Sequence, residues 1–303
     1  MSDRIRPADL LVAAYNLVLF AVWIRLGGAA WYVPWIAGAH AAAAALPLLF
    51  SRVGTWRRGL GVLREIYPLL GLLAFWSELG VLQRLAPGGT YDAIVSRLDL
   101  MLFGQHLNLA WMPAMPYPAL SEAMHGFYFL YYPLIFAPPI AMALIGRTDA
   151  LRDMTLRLMV TYLGCYILYL AFPVIGPAEL LPHYQGPLTN GFFYHLTHAA
   201  RAAGDSLGTA FPSSHVAGAT TIAVLAWRWL PRPVAVLITV EAVGVLLATV
   251  YTQNHYPVDA LAGLLWALGL QLVLVPAFSG AAAAPRVPVL PVRCPEPVTG
   301  GGL

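Results

Sequence analysis

The stretch GTAFPSSHVAGATTIAVLAWRWL, residues 208–230, joins a short polar break to a long apolar run. A second stretch, NHYPVDALAGLLWALGLQLVLV at residues 254–275, has the same order of a polar break and an apolar run. A helix needs about 20 mainly apolar residues to cross the hydrocarbon core of a bilayer. Both stretches therefore predict membrane helices that begin in a polar segment. His215 and His255 lie at those two beginnings.

The composition of the whole chain also predicts a membrane protein. Of its 303 residues, 59% are hydrophobic and only 10% are charged, and the mean hydropathy is +0.70. A soluble domain carries about 25% charged residues. We therefore predict an all-α, polytopic membrane helix bundle with about eight transmembrane helices. The predicted spans cover residues 8–26, 31–50, 66–84, 120–146, 153–172, 212–230, 233–252 and 257–277, of which the third is interrupted by Glu78.

The distribution of arginine predicts the orientation of these spans. All 17 basic residues are arginine, and an alternating path with the N-terminus inside places 13 of them on the inner side and 4 on the outer side. An excess of positive charge marks cytoplasmic loops. This path places both histidine motifs at the outer face. The four outer arginines are Arg25, Arg84, Arg97 and Arg201.

We predict three regions along the chain. Residues 1–117 would hold the N-terminal spans and an amphipathic outer helix within 86–118 that lies in the membrane interface. Residues 118–278 would form the catalytic core. Residues 279–303 are rich in Ala, Pro and Gly, which is typical of a disordered tail, here cytoplasmic. We expect no removable signal peptide at the N-terminus, and the two cysteines suggest neither a disulfide nor a metal framework.

The first motif, Phe211-Pro212-Ser213-Ser214-His215, has the features of a helix start that binds an anion. Proline suits the first helical position. The backbone N–H groups of Ser213 and Ser214 would then be free of intrahelical partners and lie at the positive end of the helix dipole, where phosphate binds readily. His215 would lie beside that anion as a proton donor. The alternative is an ordinary helix start in which serine serves as a cap.

The second motif places His255 four residues before Asp259. On a helix this spacing puts both side chains on one face. The carboxylate would accept a hydrogen bond from Nδ1 and leave Nε2 as a nucleophile. A carboxylate within a membrane span is costly and indicates function by default. Two alternatives stay open: a His–Asp pair that only anchors the helix, and a zinc site made by His215, His255 and Asp259.

Together the two motifs resemble the type 2 phosphatidic acid phosphatase superfamily, and within it the inositol phosphorylceramide synthase (inositolphosphotransferase) branch with its bacterial relatives. Its second motif is similar to residues 211–215, and its third to residues 255–259 followed by Ala260-Leu261-Ala262-Gly263. The segment from Phe172 to Pro177 is similar to one that this branch carries before its outer loop. The resemblance covers residues 118–275 well and implies a six-helix phosphatase-like core.

The resemblance implies a role for each matching residue. His255 would be the nucleophile that takes the phosphoryl group, and Asp259 would orient and polarise it. His215 would protonate the leaving alcohol and then deprotonate the acceptor. Ser213 and the adjacent Ser214 would hold phosphate oxygens.

The cationic residues of the family pattern are missing from their usual places. The position that matches an arginine of the third motif is Thr249, and the position of a further arginine is Ala178. The cation that offsets the phosphate charge must therefore come from elsewhere. Of the four outer arginines, Arg201 is nearest in sequence to the first motif, and we predict that it binds phosphate.

A polar and aromatic segment precedes the middle of the fourth span. Glu122 and His125 share a helix face with Tyr128 below them. This arrangement fits a substrate-positioning role. The alternative is an aromatic belt at the membrane interface.

The resemblance implies a membrane enzyme that moves a phosphate-containing head group between lipids through a phosphohistidine. Its expected partners are a lipid phosphate or phospholipid donor, a lipid alcohol acceptor such as ceramide or diacylglycerol, and the bilayer; no cofactor or metal and no nucleic acid is expected. The alternatives are a lipid phosphate phosphatase, with water as the acceptor, and a non-catalytic relative that binds lipid phosphate. The expected location is a bacterial inner membrane, with the active site at the periplasmic face.

Overall fold

The computed structural model describes residues 5–26, 28, 30–52, 58–86 and 88–276, without the side chains of residues 49, 51, 52 and 58–62. Within these residues the fold is helical, apart from one isolated β-bridge between Val174 and Thr209. The predicted all-α bundle is confirmed. The predicted tail, 279–303, lies outside the described residues.

The helices follow the apolar runs of the sequence. The elements are α1 (Pro7–Leu26), α2 (Val33–Arg52), α3 (Arg58–Leu85), α4 (Asp92–Phe103), α5 (Leu107–Ala114), α6 (Pro118–Leu144), α7 (Thr148–Ala171), α8 (Pro177–Leu180), α9 (Phe192–Gly204), α10 (Ser214–Trp229), α11 (Arg232–Tyr251) and α12 (Pro257–Gly269). A 3₁₀ turn, Pro187–Asn190, precedes α9, and a π-helical turn, Leu270–Leu274, continues α12.

Six helices among the described residues are long and apolar enough to cross a membrane, so the chain is an integral membrane protein. They are Pro7–Leu26, Leu63–Leu85, Pro118–Leu144, Thr148–Ala171, Arg232–Tyr251 and Pro257–Leu274. The two remaining predicted spans, 31–50 and 212–230, are present as α2 and α10, and α10 is too short to count among the six. The 16 residues of α10 cover about 24 Å at 1.5 Å per residue, less than the ~30 Å hydrocarbon core.

Helix α10 lies in the middle of the bundle. It packs against α6, α7, α11 and α12. Small side chains on most of its faces, such as Ala217, Gly218 and Ala219, are buried and allow these close approaches. Its first turn, which carries His215, is therefore enclosed by the helices that surround it.

The polar residues of α1–α3 satisfy one another inside the bundle. His40 lies 2.9 Å from Asn16 Oδ1 through Nδ1 and 2.8 Å from Glu78 Oε1 through Nε2. Trp23 donates its indole N–H to the same carboxylate. Buried polar groups need such partners. Because Glu78 is paired, it does not interrupt α3, contrary to the weak third span in the sequence.

The end of the bundle that the arginine distribution assigns to the inner side is held by ion pairs. Glu65 on α3 pairs with Arg6 at 2.6 Å and with Arg152 at 2.8 Å. Asp153 on α7 pairs with Arg157 and with Arg228 of α10. These pairs tie α3, α7 and α10 together at the end opposite the two histidine motifs.

Candidate active site

The starts of α10 and α12 are joined directly by their backbones. The N–H of Ser213 donates to the carbonyl of Asp259 at 3.0 Å. Gly263, one turn further along α12, faces the Ser213 carbonyl so closely that a Cβ there would overlap it. This contact brings the two motifs together although about 40 residues separate them in sequence.

The α10 start differs from the predicted anion site. The helix begins at Ser214, so Pro212 lies outside it, and Ser213 is the N-cap, with Oγ accepting from the N–H of Val216 at 3.4 Å. The Ser214 N–H donates to Tyr169 Oη at 3.1 Å, and that hydroxyl donates to the Pro212 carbonyl at 2.7 Å. The expectation that the N–H groups of Ser213 and Ser214 lack protein partners was therefore wrong, since both already have acceptors; phosphate binding by these two serines stays a prediction.

The second motif is a capped helix start rather than one helical face. His255 precedes the helix, Tyr256 is the N-cap and Pro257 is the first helical residue. Asp259 is fully buried and accepts the N–H of Tyr256 at 2.9 Å. Its Oδ2 lies 3.4 Å from Nδ1 of His255. The predicted proximity of imidazole and carboxylate is present, but the bend of the cap produces it instead of the helix.

The two imidazoles lie side by side. The ring centroids of His215 and His255 are 5.8 Å apart at an angle of 63°. Tyrosines of α6 pack on His215, with Tyr131 at 4.4 Å and Tyr128 at 4.8 Å between centroids. Both tyrosines are buried. The alternative of an interfacial aromatic belt is therefore wrong for Tyr128, which instead lines the site.

A polar cavity of about 220 Å³ opens onto both histidines. It is lined by Tyr128, His215 and His255, by Asn254 and Thr209, by two arginines, Arg84 and Arg201, and by two carboxylates, Glu179 and Asp205. Two of the four arginines assigned to the outer side therefore reach this cavity. The cavity excludes Ser213, and Ser214 lines a neighbouring groove instead.

Arg201 is the predicted phosphate ligand. It lines the cavity, where two carboxylates hold its side chain. Its side chain is only 10% exposed, and its guanidinium donates through Nε to Asp205 at 2.7 Å and through Nη2 to Glu179 at 3.4 Å. A neighbour on α9, His198, adds no positive charge at neutral pH. Burial, reinforced by the charge of Arg201, lowers the pKa of His198 to about 4.

Glu122 and His125 contact α9 and do not line the cavity. The carboxylate of Glu122 accepts the N–H of Phe193 at 3.1 Å and of Tyr194 at 3.4 Å, which caps the first turn of α9. The carbonyl of His125 accepts the hydroxyl proton of Thr197 at 3.0 Å. Because α9 carries Arg201, these two residues act on the cavity through that helix.

An apolar groove of about 260 Å³ meets the polar cavity. The groove and the cavity share Trp76, Asp205 and His215. The remaining walls of the groove come mainly from α3, α6 and α7, and include Leu72, Leu73, Tyr132, Ile135, Phe136 and Tyr166. A polar cavity beside an apolar groove fits a molecule with a charged head and a hydrocarbon chain.

Helix α4 holds two segments of the site with buried carboxylates. Asp99 accepts the N–H of Val258, in the first turn of α12, at 3.2 Å. Asp92 accepts the N–H groups of Ile175 at 3.1 Å and Gly176 at 2.8 Å. The opposite face of α4 exposes Ile94, Leu98, Met101 and Leu102. The helix predicted within 86–118 is present, and its place at the membrane surface stays a prediction.

The contact between α10 and α12 predicts a large effect of one methyl group. Gly263→Ala is expected to force the two helix starts apart, because the new Cβ would overlap the Ser213 carbonyl. Overpacking of this kind costs about 1–3 kcal/mol. Thermal unfolding in detergent should show a lowered Tm, together with lost activity. Gly269→Ala, in the same helix with no atom near its Cβ position, is the control and should be neutral; equal behaviour of both variants would contradict the close contact.

In the part of the chain that the structure describes, no group of three or more His, Cys, Asp or Glu side chains is arranged to hold a metal ion. The structure therefore does not bring the residues of the alternative zinc site into such an arrangement.

The fold and the site together define a helical membrane protein with paired histidines beside an arginine. A family model of the PAP2 superfamily, the type 2 phosphatidic acid phosphatases, matches residues 94–273, and the chain belongs to this superfamily. Its members are generally phosphatase-type enzymes that act on lipid phosphates. The match begins within α4 and ends in the π-helical turn, so it includes both motifs. A search of curated proteins found no match, and neither did a search of solved structures.

Proposed function

We propose that the protein is a lipid phosphotransferase that moves a phosphate-containing head group from a donor lipid to a lipid alcohol through a phosphohistidine. The observation that carries this proposal is the pair of imidazoles, 5.8 Å apart, where the polar cavity meets the apolar groove. A phosphorus atom between the two rings would be within reach of both. The superfamily gives the broader class of chemistry.

In the first step, His255 is the nucleophile. Its Nδ1 lies 3.4 Å from Asp259 Oδ2, and a hydrogen bond formed there during the reaction would keep the proton on Nδ1 and leave the Nε2 lone pair for phosphorus. The Nε2–P bond forms while the bond from phosphorus to the leaving oxygen breaks. Protonated His215 gives its proton to that oxygen, so the leaving group departs as a neutral alcohol.

In the second step, His215 works in the opposite direction. Now neutral, it takes the proton of an acceptor hydroxyl as the new O–P bond forms and the N–P bond breaks. His255 returns to its starting state and His215 is again protonated. Arg201 balances part of the phosphate charge in both steps.

The position of His215 favours a lipid alcohol over water as the acceptor. His215 lines the apolar groove as well as the polar cavity. A lipid alcohol with its chain in the groove would therefore present its hydroxyl to the base that must deprotonate it. The resemblance to the inositol phosphorylceramide synthase branch supports the same acceptor class, with ceramide or diacylglycerol as candidates.

We further propose a bacterial inner membrane as the location, with the N-terminus cytoplasmic and the site at the periplasmic face. The arginine distribution supports this orientation, since the motifs lie opposite the arginine-rich end. We also propose residues 118–278 as the catalytic core.

A donor lipid labelled at phosphorus, given to the purified protein with and without a lipid alcohol, tests the proposal. The expected result is a new labelled lipid that forms only with the alcohol and persists in the presence of a chelator. Labelled phosphate without a new lipid would instead identify a phosphatase. Binding of the donor without any product would identify a non-catalytic relative, and loss of activity with the chelator would favour a metal-dependent reaction.

A further inference from the structure

The fixed charges around the polar cavity cancel. Its cations are Arg84 and Arg201, and its carboxylates are Glu179 and Asp205, among the residues that the structure describes there. Each carboxylate contacts Arg201 through one oxygen, so the guanidinium that faces the histidines is already compensated. Once His215 has given its proton to the leaving group, a phosphate held in this cavity carries a negative charge that the described protein groups leave unbalanced.

Besides the two carboxylates, the side-chain amide of Asn254 offers a hydrogen-bond acceptor in the cavity. Asn254 is 6% exposed, and its side-chain N–H donates to Thr252 Oγ1 at 2.7 Å. The Thr252 hydroxyl donates to the carbonyl of Ala248 at 2.7 Å, so its oxygen must accept from Asn254, which fixes the amide orientation. The Oδ1 of Asn254 is then an acceptor that has no partner among the described residues.

We infer that Glu179, Asp205 and Asn254 form a subsite for an ammonium group carried by a substrate. A cation with several N–H donors matches two carboxylates and one carbonyl oxygen, and would supply the positive charge that a bound phosphate lacks. The subsite is adjacent to His255, since Asn254 precedes it in the chain and all four residues line one cavity. The inference rests on the proposed function.

The ammonium group has two possible sources, and the chemistry of recognition is the same for both. It belongs either to the head group of a zwitterionic donor phospholipid or to an amino alcohol that accepts the phosphoryl group. Both place a cation within a few bonds of the transferred phosphorus. The reaction itself is unchanged: His255 displaces the leaving alcohol, and the acceptor hydroxyl displaces His255.

Donor and acceptor arms of one experiment separate these sources. In detergent, formation of the phosphoenzyme is compared between phosphatidylethanolamine and phosphatidylglycerol of the same chains. Transfer is then compared between sphingosine, which carries an amine, and ceramide, which carries an amide. We expect the ammonium-bearing lipid to be preferred in one arm by roughly tenfold, about threefold for each half-exposed carboxylate.

The double variant Glu179→Gln, Asp205→Asn should bring that preference close to one while the lipid without an ammonium group loses much less. A role limited to holding Arg201 would lower the rates of both lipids together. The control is Asp149→Asn, an exposed carboxylate that pairs with Arg147 in another part of the bundle and should leave the preference unchanged.

The inference is overturned if neither arm shows a preference, or if the double variant keeps it. In both cases a phosphoenzyme that depends on His255 would leave the proposed function intact. If no lipid gives a phosphoenzyme, the proposed function and the subsite both fail.

Discussion

Turnover by His255→Ala is expected to fall by about 10⁴-fold or more, because removal of a nucleophile leaves only binding and charge stabilisation. The side chain is buried between Asp259 and the polar cavity, and no second imidazole in the described site has a carboxylate at its Nδ1. The measurement is transfer of labelled phosphorus from donor to acceptor lipid, alongside thermal unfolding to show that the variant is folded.

A matched histidine makes this result specific. His195 lies on α9, is exposed and lines neither the cavity nor the groove. His195→Ala should keep nearly the full rate. Turnover by His255→Ala close to the original rate would remove His255 from the chemistry.

His215→Gln is expected to slow transfer from a lipid donor by about 10²- to 10⁴-fold, the usual contribution of a general acid. The loss should depend on the leaving group. A nitrophenyl ester of the same phosphate releases an anion that needs no proton, so phosphoenzyme formation from it should be nearly unaffected. The measurement is the rate of phosphoenzyme formation from both donors.

The second half-reaction provides the control for His215→Gln. Transfer from the phosphoenzyme to a lipid alcohol still needs a base, so it should stay slow whichever donor formed the intermediate. Equal losses with both donors in the first step would indicate that His215 acts on packing or binding instead of on the leaving oxygen.

The sequence was sufficient to predict most helices and the meeting of the two motifs. Long apolar runs determine membrane helices because the bilayer leaves the backbone few alternatives. Because consecutive spans cross the membrane in alternating directions, the sequence predicted that His215 and His255 lie at the same face. The sequence predicts about eight spans, whereas six of the described helices are long and apolar enough to cross a membrane; α10 is shorter and is surrounded by four other helices.

The surroundings of the motifs depended on tertiary contacts that the sequence did not reveal. Tyr169, which occupies the Ser214 N–H, comes from α7, more than 40 residues away. Glu179 comes from α8 and reaches Arg201 only once α9 is docked, whereas Asp205 lies four residues after Arg201 at the end of α9. A spacing rule describes residues on one element, so it could report the Arg201–Asp205 pair but not the contacts of Tyr169 and Glu179.

The sequence analysis selected Glu122 as a positioning residue for a substrate, whereas in the structure its contacts are with α9. Its place near the start of α6, before several aromatic residues, suggested contact with a substrate. The structure shows that it accepts backbone N–H groups in the first turn of α9, where no side chain of that helix serves as a cap and a carboxylate suits the dipole. A signal for this role would have been a glycine-led helix without its own cap, as at Gly191.

The most direct test of the account is the chemical identity of the trapped phosphoenzyme. Protein mixed with labelled donor and quenched in alkali should carry phosphorus in an acid-labile, alkali-stable linkage, and mass spectrometry of the digested protein should locate it on His255. Label that survives acid, or that lies on any residue other than His255, would contradict the proposed mechanism.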